Sequence, residues 1–162
     1  MARAARRTQI SAGLLVYRRR AERIEVLLAH PGGPFWMKKD TGAWTIPKGL
    51  AESAAESDLL ATAQREFTEE TGFTAAGPFL PLRPVTQTSG KIVHAFACAG
   101  DFDPAELTSN AFEIEWPPRS GQRRSFPEVD RAQWFGVDAA MDKIIVYQRP
   151  LLVELQERLA SA

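Results

Sequence analysis

Alternating and continuous apolar runs at the start of the chain predict paired strands. Residues 10–17 and 24–29 are strand-like, and the polar segment 18–23 between them predicts a β-hairpin. Proline and glycine at 31–34 predict that residues 30–42 form a loop. Residues 44–46 then form a short extended segment, which ends at a proline.

A helical period follows from Ser57 to Thr71. Leu60, Ala63 and Phe67 recur at helical spacing, so one apolar face is expected to pack inward. Ser57 is the predicted N-cap residue. Gly72 stands where a left-handed residue ends many helices.

Strand character returns after this helix. The later strand-like segments are 82–88, 91–99, 111–116 and 133–136, with a turn at Ser89-Gly90 and a loop predicted at 117–128. A terminal helix is expected from Pro150, with its apolar stripe formed by Leu151, Leu152, Leu155 and Leu159. Strands on both sides of a central helix favour a mixed α/β fold over a bundle or a β-sandwich.

Composition narrows the function classes. A chain of 162 residues is expected to form one domain over 1–162, with residues 1–8 as a flexible N-terminus. The apolar fraction is 44%, yet no run approaches the roughly 18 apolar residues of a membrane span. Lysine plus arginine equals aspartate plus glutamate at 20 each, so any site for a polyanion must be local. One cysteine, Cys98, excludes an internal disulfide and, with no apparent export signal, predicts a cytoplasmic protein.

Three carboxylates crowd one face of the central helix. Glu66, Glu69 and Glu70 stand at i, i+3 and i+4, a spacing at which like charges destabilise a helix. One interpretation is a solvated acidic face. The other is that a divalent cation neutralises the cluster, and oxygen ligands of this kind suit magnesium or manganese bound together with substrate phosphates.

The segment before the helix favours the interpretation that a cation binds the carboxylates. Lys48 could balance phosphate charge, and Gly49 permits a backbone conformation in which its carbonyl faces the same metal. With this segment included, the sequence resembles the Nudix hydrolase family and its Nudix box over 49–73. The matching residues are Gly49, Glu56, Arg65, Glu66, Phe67, Glu69, Glu70, Gly72 and Phe73.

The front half of the box is two residues longer than in the family. The family pattern has five residues between its glycine and first glutamate and seven from there to the arginine, whereas Gly49 and Glu56 enclose six, and Glu56 and Arg65 enclose eight. Counted back from the helix, Ser57 takes the glutamate position. Either Glu56 shifts register to serve, or that auxiliary carboxylate is absent.

The resemblance implies a fold, a reaction and residue roles. The expected fold is a Nudix-like α/β/α sandwich with a mixed central sheet. The expected reaction is magnesium- or manganese-dependent cleavage of a phosphoanhydride in a nucleoside diphosphate linked to another group. Glu66, Glu70 and Gly49 are the expected metal-binding residues, and Glu69 is a third ligand or the proton acceptor. Arg65 is expected to orient a loop carboxylate, Glu56 or Glu52.

Several other residues have two interpretations each. Glu113 and Glu115 share one face of a strand and are either an auxiliary base or part of a solvated face. Trp36, Lys39 and Arg119 lie in two loops and either contact substrate or form ordinary surface. His94 and Cys98 fit a structural role in the core.

The favoured substrate is a nucleoside triphosphate or a dinucleoside polyphosphate. A nucleotide sugar or a triphosphorylated RNA 5′ end is not separated from these by the sequence, and oligomeric state is left open. Two alternative functions remain: an RNA 5′-end pyrophosphohydrolase, which the neutral charge balance disfavours, and, from a different class, a nucleotide sensor without turnover.

Overall fold

The computed structural model describes residues 8–161, so all but one residue of the expected flexible segment 1–8 lies outside the described part. The strands are β1 (Ile10–Arg20), β2 (Arg23–Pro31), β3 (Lys48–Leu50), β4 (Leu80–Pro81), β5 (Val85–Thr86), β6 (Ile92–Ala99), β7 (Ala111–Glu115), β8 (Arg123–Pro127) and β9 (Val129–Gly136). The α-helices are α1 (Glu56–Thr71), α2 (Val137–Lys143) and α3 (Arg149–Ala160).

A mixed sheet organises the described residues. Its order is β4-β6-β1-β2-β9, with β3 also paired to β1 and β5 also paired to β6. The β1–β6 pair is parallel, whereas the other pairs of this sheet are antiparallel. Strands β7 and β8 form a separate antiparallel ribbon.

The sheet is covered by helices on both faces. Along β1, Leu14 and Val16 join a core cluster with Phe67 of α1, whereas Leu15 between them joins a second cluster with Leu152 of α3. Alternate residues of a strand point to opposite faces, so α1 and α3 lie on opposite sides of the sheet. The expected α/β/α sandwich with a mixed central sheet is therefore confirmed, and the sharing of β1 by both clusters supports the proposed single domain.

The helices are short, and one of them, α2, was not expected from the sequence. Helix α1 is the longest at 16 residues, and within 8–161 no helix is long and apolar enough to cross a membrane. Helix α2, with seven residues, was not predicted.

The predicted helix start, one predicted loop and one predicted strand were wrong in detail. Ala55, not Ser57, is the N-cap residue of α1, and Ser53 makes the polar contacts there, donating to Asp58 at 2.5 Å. The predicted loop 117–128 contains strand β8. The predicted strand 82–88 is reduced to β5, because Pro84 has no N–H to donate to a ladder.

Candidate active site

Helix α1 positions the carboxylates by burying its other face. Ala63 and Phe67 are fully buried beneath the sheet, which leaves Glu66, Glu69 and Glu70 turned toward β3. The helix ends at Gly72, whose φ of 80° is the left-handed conformation that glycine adopts without strain. The three carboxylates are thus fixed by the core behind them.

Strand β3 presses its backbone against two of these carboxylates. A Cβ atom added to Gly49 would lie 2.0 Å from Cδ of Glu66 and 2.3 and 2.4 Å from its two oxygens. The backbone N–H of Lys48 donates to Oε2 of Glu70 at 3.1 Å. Only glycine leaves room for the Glu66 carboxylate at this place, which explains the glycine before the helix.

Pairing with β1 holds β3 in this position. Ser11 faces Leu50, Ala12 faces Gly49, and Gly13 faces Lys48 in an antiparallel register. The position of β3 therefore depends on its pairing with β1 and not on the loop that follows β3.

The carboxylates open into one cavity of about 550 Å³, here called the carboxylate cavity. It is lined by Lys48, Gly49, Leu50, Glu66, Glu69, Glu70, Asn110, Ala111 and Glu128. Glu128 is the one acidic residue of this lining that the sequence analysis did not identify.

Backbone hydrogen bonds fix Glu128 at the cavity. Its N–H donates to the carbonyl oxygen of Asn110 at 2.7 Å, and its own carbonyl accepts from the N–H of Gly32 at 2.9 Å. A Cβ at Gly32 would lie 1.9 Å from the carbonyl oxygen of Pro127, so this approach also requires glycine. The only sequence signal for Glu128 is an acid placed directly after Pro127 at the end of an arginine-rich segment.

Burial and like charge perturb the titration of this cluster. Burial raises the pKa of Glu70 to about 8, and the hydrogen bond from Lys48 opposes that rise only in part. Burial also raises the pKa of Glu66, with the neighbouring Glu69 charge adding to the effect. Burial lowers the pKa of Lys48, although Glu70 and Glu66 oppose it. These shifts reflect the crowding of four glutamates and one lysine around a single cavity.

This set of oxygen donors fits a hard divalent cation for which the protein supplies only some of the ligands. Carboxylate oxygens of Glu66, Glu69, Glu70 and Glu128 face one cavity. Among residues 8–161, no three acidic, histidine or cysteine side chains are spaced to enclose a metal ion by themselves. Magnesium is usually held in this incomplete way, with water and substrate phosphates as the remaining ligands.

Arg65 does not contact its predicted loop partners. Its guanidinium lies 3.7 Å from Glu66 and 3.9 Å from Glu69. The expectation that it orients Glu56 was wrong, because Glu56 is the first residue of α1 and lies about 14 Å away along the helix axis at 1.5 Å per residue. The ion pairs that Arg65 does make are with Glu66 and Glu69, not with Glu52. Glu56 is exposed and is not part of the carboxylate lining.

A second cavity of about 370 Å³, here called the lysine cavity, adjoins the first. It is lined by Ser11, Pro31, Trp36, Ala43, Thr45, Lys48, Gly49, Leu50, Gln87, Lys91, Val93, Ile145 and Tyr147. The two cavities share Lys48, Gly49 and Leu50. Trp36 thus lies at the site, and the ammonium of Lys39 stands 4.9 Å from the Trp36 ring centroid.

The β7–β8 ribbon carries predicted residues away from both linings. Glu113 and Glu115 are exposed on one face of β7, and Glu113 lies 3.7 Å from Arg123. Arg119 is in the turn of the ribbon, with a φ of 62°. None of these three residues lines either cavity, although Ala111 at the start of β7 does.

His94 and Cys98 lie on β6. Burial lowers the pKa of His94, and Cys98 is buried, with a thiol pKa raised to about 11 by the same cause. Cys98 belongs to the core cluster beneath α1, as expected for a structural residue.

Comparisons with known proteins agree with this geometry. A family model described as the NUDIX domain matches residues 7–155. The chain therefore belongs to the Nudix family, and its enzyme class is that of the Nudix-type pyrophosphohydrolases, which generally depend on a divalent metal.

Solved structures share the fold at low identity. The NUDIX domain of Shewanella oneidensis NrtR complexed with ADP ribose matches at a TM-score of 0.65 and 14% identity, over 96% of this chain and 90% of that one. A C. elegans Ap4A hydrolase in a binary complex matches at 0.64 and 22%, over 96% and 100%. A MutT/Nudix family protein from Listeria innocua matches at 0.60 and 15%, over 96% and 97%. No curated protein matches the sequence.

Proposed function

We propose that this chain hydrolyses a phosphoanhydride bond in a nucleoside diphosphate linked to another group, with nucleoside triphosphates and dinucleoside polyphosphates as the favoured substrates. The observation that carries the proposal is the contact between two oppositely charged cavities at Lys48. Four glutamates line one cavity, and two lysines line the other. A phosphate chain whose scissile linkage is bound with a cation in the first cavity can extend into the second.

Glu66, Glu70 and the backbone of Gly49 would hold Mg²⁺, with Mn²⁺ as a substitute. The close approach of Gly49 to Glu66 and the hydrogen bond from Lys48 to Glu70 support this assignment, because they gather the three groups at one wall. A bound divalent ion supplies charge neutralisation on the phosphate oxygens and lowers the pKa of a coordinated water.

The remaining residues of the carboxylate cavity would handle the proton and the substrate charge. In the hydrolysis a water oxygen bonds to phosphorus, the bridging P–O bond breaks, and the water loses a proton. Glu69 or Glu128 would accept that proton, since both carboxylates line the cavity and Glu128 is exposed to solvent. Arg65, beside Glu66 and Glu69, would limit the repulsion between these two charges.

Names of similar structures suggest which substrates to test first. One neighbour is an Ap4A hydrolase and another is a NUDIX domain that binds ADP ribose. At 22% and 14% identity these likenesses show the fold alone, so both ligands enter as members of a panel.

The test is product formation from a panel with and without Mg²⁺ or Mn²⁺. The panel contains nucleoside triphosphates, diadenosine tetraphosphate, ADP-ribose and a triphosphorylated RNA. We expect metal-dependent products from at least one polyphosphate, and loss of at least about a hundredfold in rate in Glu70→Gln, as expected when a metal-binding group of the site is removed.

Glu106→Gln is the matched control, because Glu106 is an exposed glutamate in the 104–106 turn and is absent from both linings. Tight nucleotide binding without any product would contradict the hydrolase and favour the sensor. Full activity of Glu70→Gln would contradict the assignment of the metal site.

A further inference from the structure

The two adjoining cavities differ in the sign of their charge. Among its described lining residues, the lysine cavity has Lys48 and Lys91 and no aspartate or glutamate. This charge favours a bound group with hydrogen-bond acceptors or negative charge.

A buried amide lies directly behind the wall of the lysine cavity. Gln148 is fully buried, and its Oε1 accepts the backbone N–H of Ile46 at 3.1 Å. A backbone N–H can only donate, so this bond fixes which end of the amide is oxygen. The Nε2 group of Gln148 consequently donates to Oγ1 of Thr45 at 2.9 Å and to the hydroxyl oxygen of Tyr147 at 2.9 Å.

The orientation of Gln148 determines the role of Tyr147. Because the phenol oxygen accepts from Gln148, its own proton is left to donate elsewhere, and Tyr147 lines the lysine cavity. A tyrosine hydroxyl is protonated at neutral pH, and burial raises the pKa of the Tyr147 hydroxyl further. Lys91 lines the same cavity as Tyr147. A phenol donor and an ammonium donor thus stand together.

We propose that Tyr147 and Lys91 bind a substrate phosphate outside the cleaved linkage, and that Gln148 is the positioning residue that keeps the Tyr147 hydroxyl a donor toward it. The inference rests on the proposed function and deepens it. The protein should therefore prefer substrates that have at least one phosphate beyond the cleaved pair, such as a tetraphosphate-linked dinucleoside. Diphosphate-linked compounds such as ADP-ribose should be poorer substrates.

Binding of inorganic tripolyphosphate tests the subsite without requiring turnover. Isothermal titration calorimetry at fixed Mg²⁺ would compare the wild type with Tyr147→Phe, Lys91→Met and Gln148→Met. Each variant is expected to weaken binding about tenfold, the usual effect of losing one hydrogen bond to a charged group. Tyr17→Phe is the matched control, because Tyr17 packs against the core and lines neither cavity.

The double variant separates positioning from a general structural role. If Gln148 acts through Tyr147, adding Gln148→Met to Tyr147→Phe produces no further loss of tripolyphosphate affinity. Unfolding by urea would show whether Gln148→Met remains folded. If it does not, Tyr147→Phe and Lys91→Met alone decide.

Kinetics give a second measurement on the same variants. Tyr147→Phe should raise KM for diadenosine tetraphosphate about tenfold with kcat unchanged, and leave kcat/KM for ADP-ribose unchanged. Wild-type tripolyphosphate affinity in both Tyr147→Phe and Lys91→Met would overturn the subsite. An equal loss on both substrates would overturn the preference. Absence of turnover in the wild type would instead count against the hydrolase proposal and leave the calorimetric result standing.

Discussion

Replacing Gly49 with alanine tests whether the close approach of β3 positions the Glu66 carboxylate, which we propose as a metal ligand. The new Cβ would lie 2.0 Å from Cδ of Glu66, whereas ordinary contacts begin at 3.4 Å. The carboxylate must therefore retreat by about 1.4 Å, and a misplacement of about 1 Å near the reacting groups can cost about a hundredfold in rate. We expect Gly49→Ala to lower the metal-dependent kcat by about that factor.

The same substitution should leave the fold intact. The group that must move is the far end of a flexible side chain, and Gly49 does not have a positive φ. Replacing such a glycine by alanine changes the free energy of unfolding by only about 1 kcal/mol. The thermal unfolding midpoint should therefore stay within a few degrees of the wild type.

Two measurements separate metal binding from catalysis. Electron paramagnetic resonance of free Mn²⁺ during a titration gives the affinity without any substrate, and the Mg²⁺ concentration at half-maximal rate gives it during turnover. Both are expected to show weaker metal binding in Gly49→Ala. Gly136→Ala is the control, since a Cβ there meets nothing within 4 Å. Wild-type kcat and metal affinity in a folded Gly49→Ala protein would refute the reasoning.

Three further predictions concern stability and reactivity. Because the folded-state pKa of Glu70 is raised from 4.5 to about 8, the stability from its protonation is complete below pH 4.5 and is lost as pH rises toward 8 in the metal-free protein. At pH 8 Glu70→Gln should thus resist urea better than the wild type by about 4 kcal/mol, an advantage absent near pH 4.5, and equal pH profiles would contradict this. Phe67→Ala removes a fully buried ring in contact with Phe102 and should cost about 3–5 kcal/mol in urea unfolding; a cost below about 1 kcal/mol would contradict the packing. Cys98, buried with a pKa of about 11, should react with iodoacetamide at pH 8 only after unfolding, so equal labelling of native and denatured protein would count against it.

The sequence predicted those parts of the fold whose pattern is local and strong. Residues 10–17 of β1 form a nearly continuous apolar run because both faces of the strand are buried, and α1 combines a helical period with a terminal glycine. Helix α2 escaped prediction because it has seven residues and no side-chain cap. Strand β8 escaped prediction because arginines and proline are typical of a loop. Its extended conformation comes from its pairing with β7.

The candidate site divides in the same way. Glu66, Glu69 and Glu70 could be found because helical spacing alone puts them on one face. Glu128 and Tyr147 could not, since each reaches a cavity through contacts between segments far apart in sequence. Gly32 meets Glu128 across 96 positions, and Ile46 meets Gln148 across 102 positions.

Because β3 is anchored to β1, the loop between β3 and α1 does not have to position the site. The wall formed by Gly49 and Glu66 is held on one side by the pairing of β3 with β1 and on the other by the buried face of α1. Residues 51–55 connect the two, and the one side-chain anchor described among them is Ser53 at the helix start. Lengthening such a surface loop is cheap, at about 0.6 kcal/mol for each doubling. Two additional residues before the helix are therefore compatible with an intact site, and this connection is a suitable place to insert a peptide tag or a fluorescent reporter.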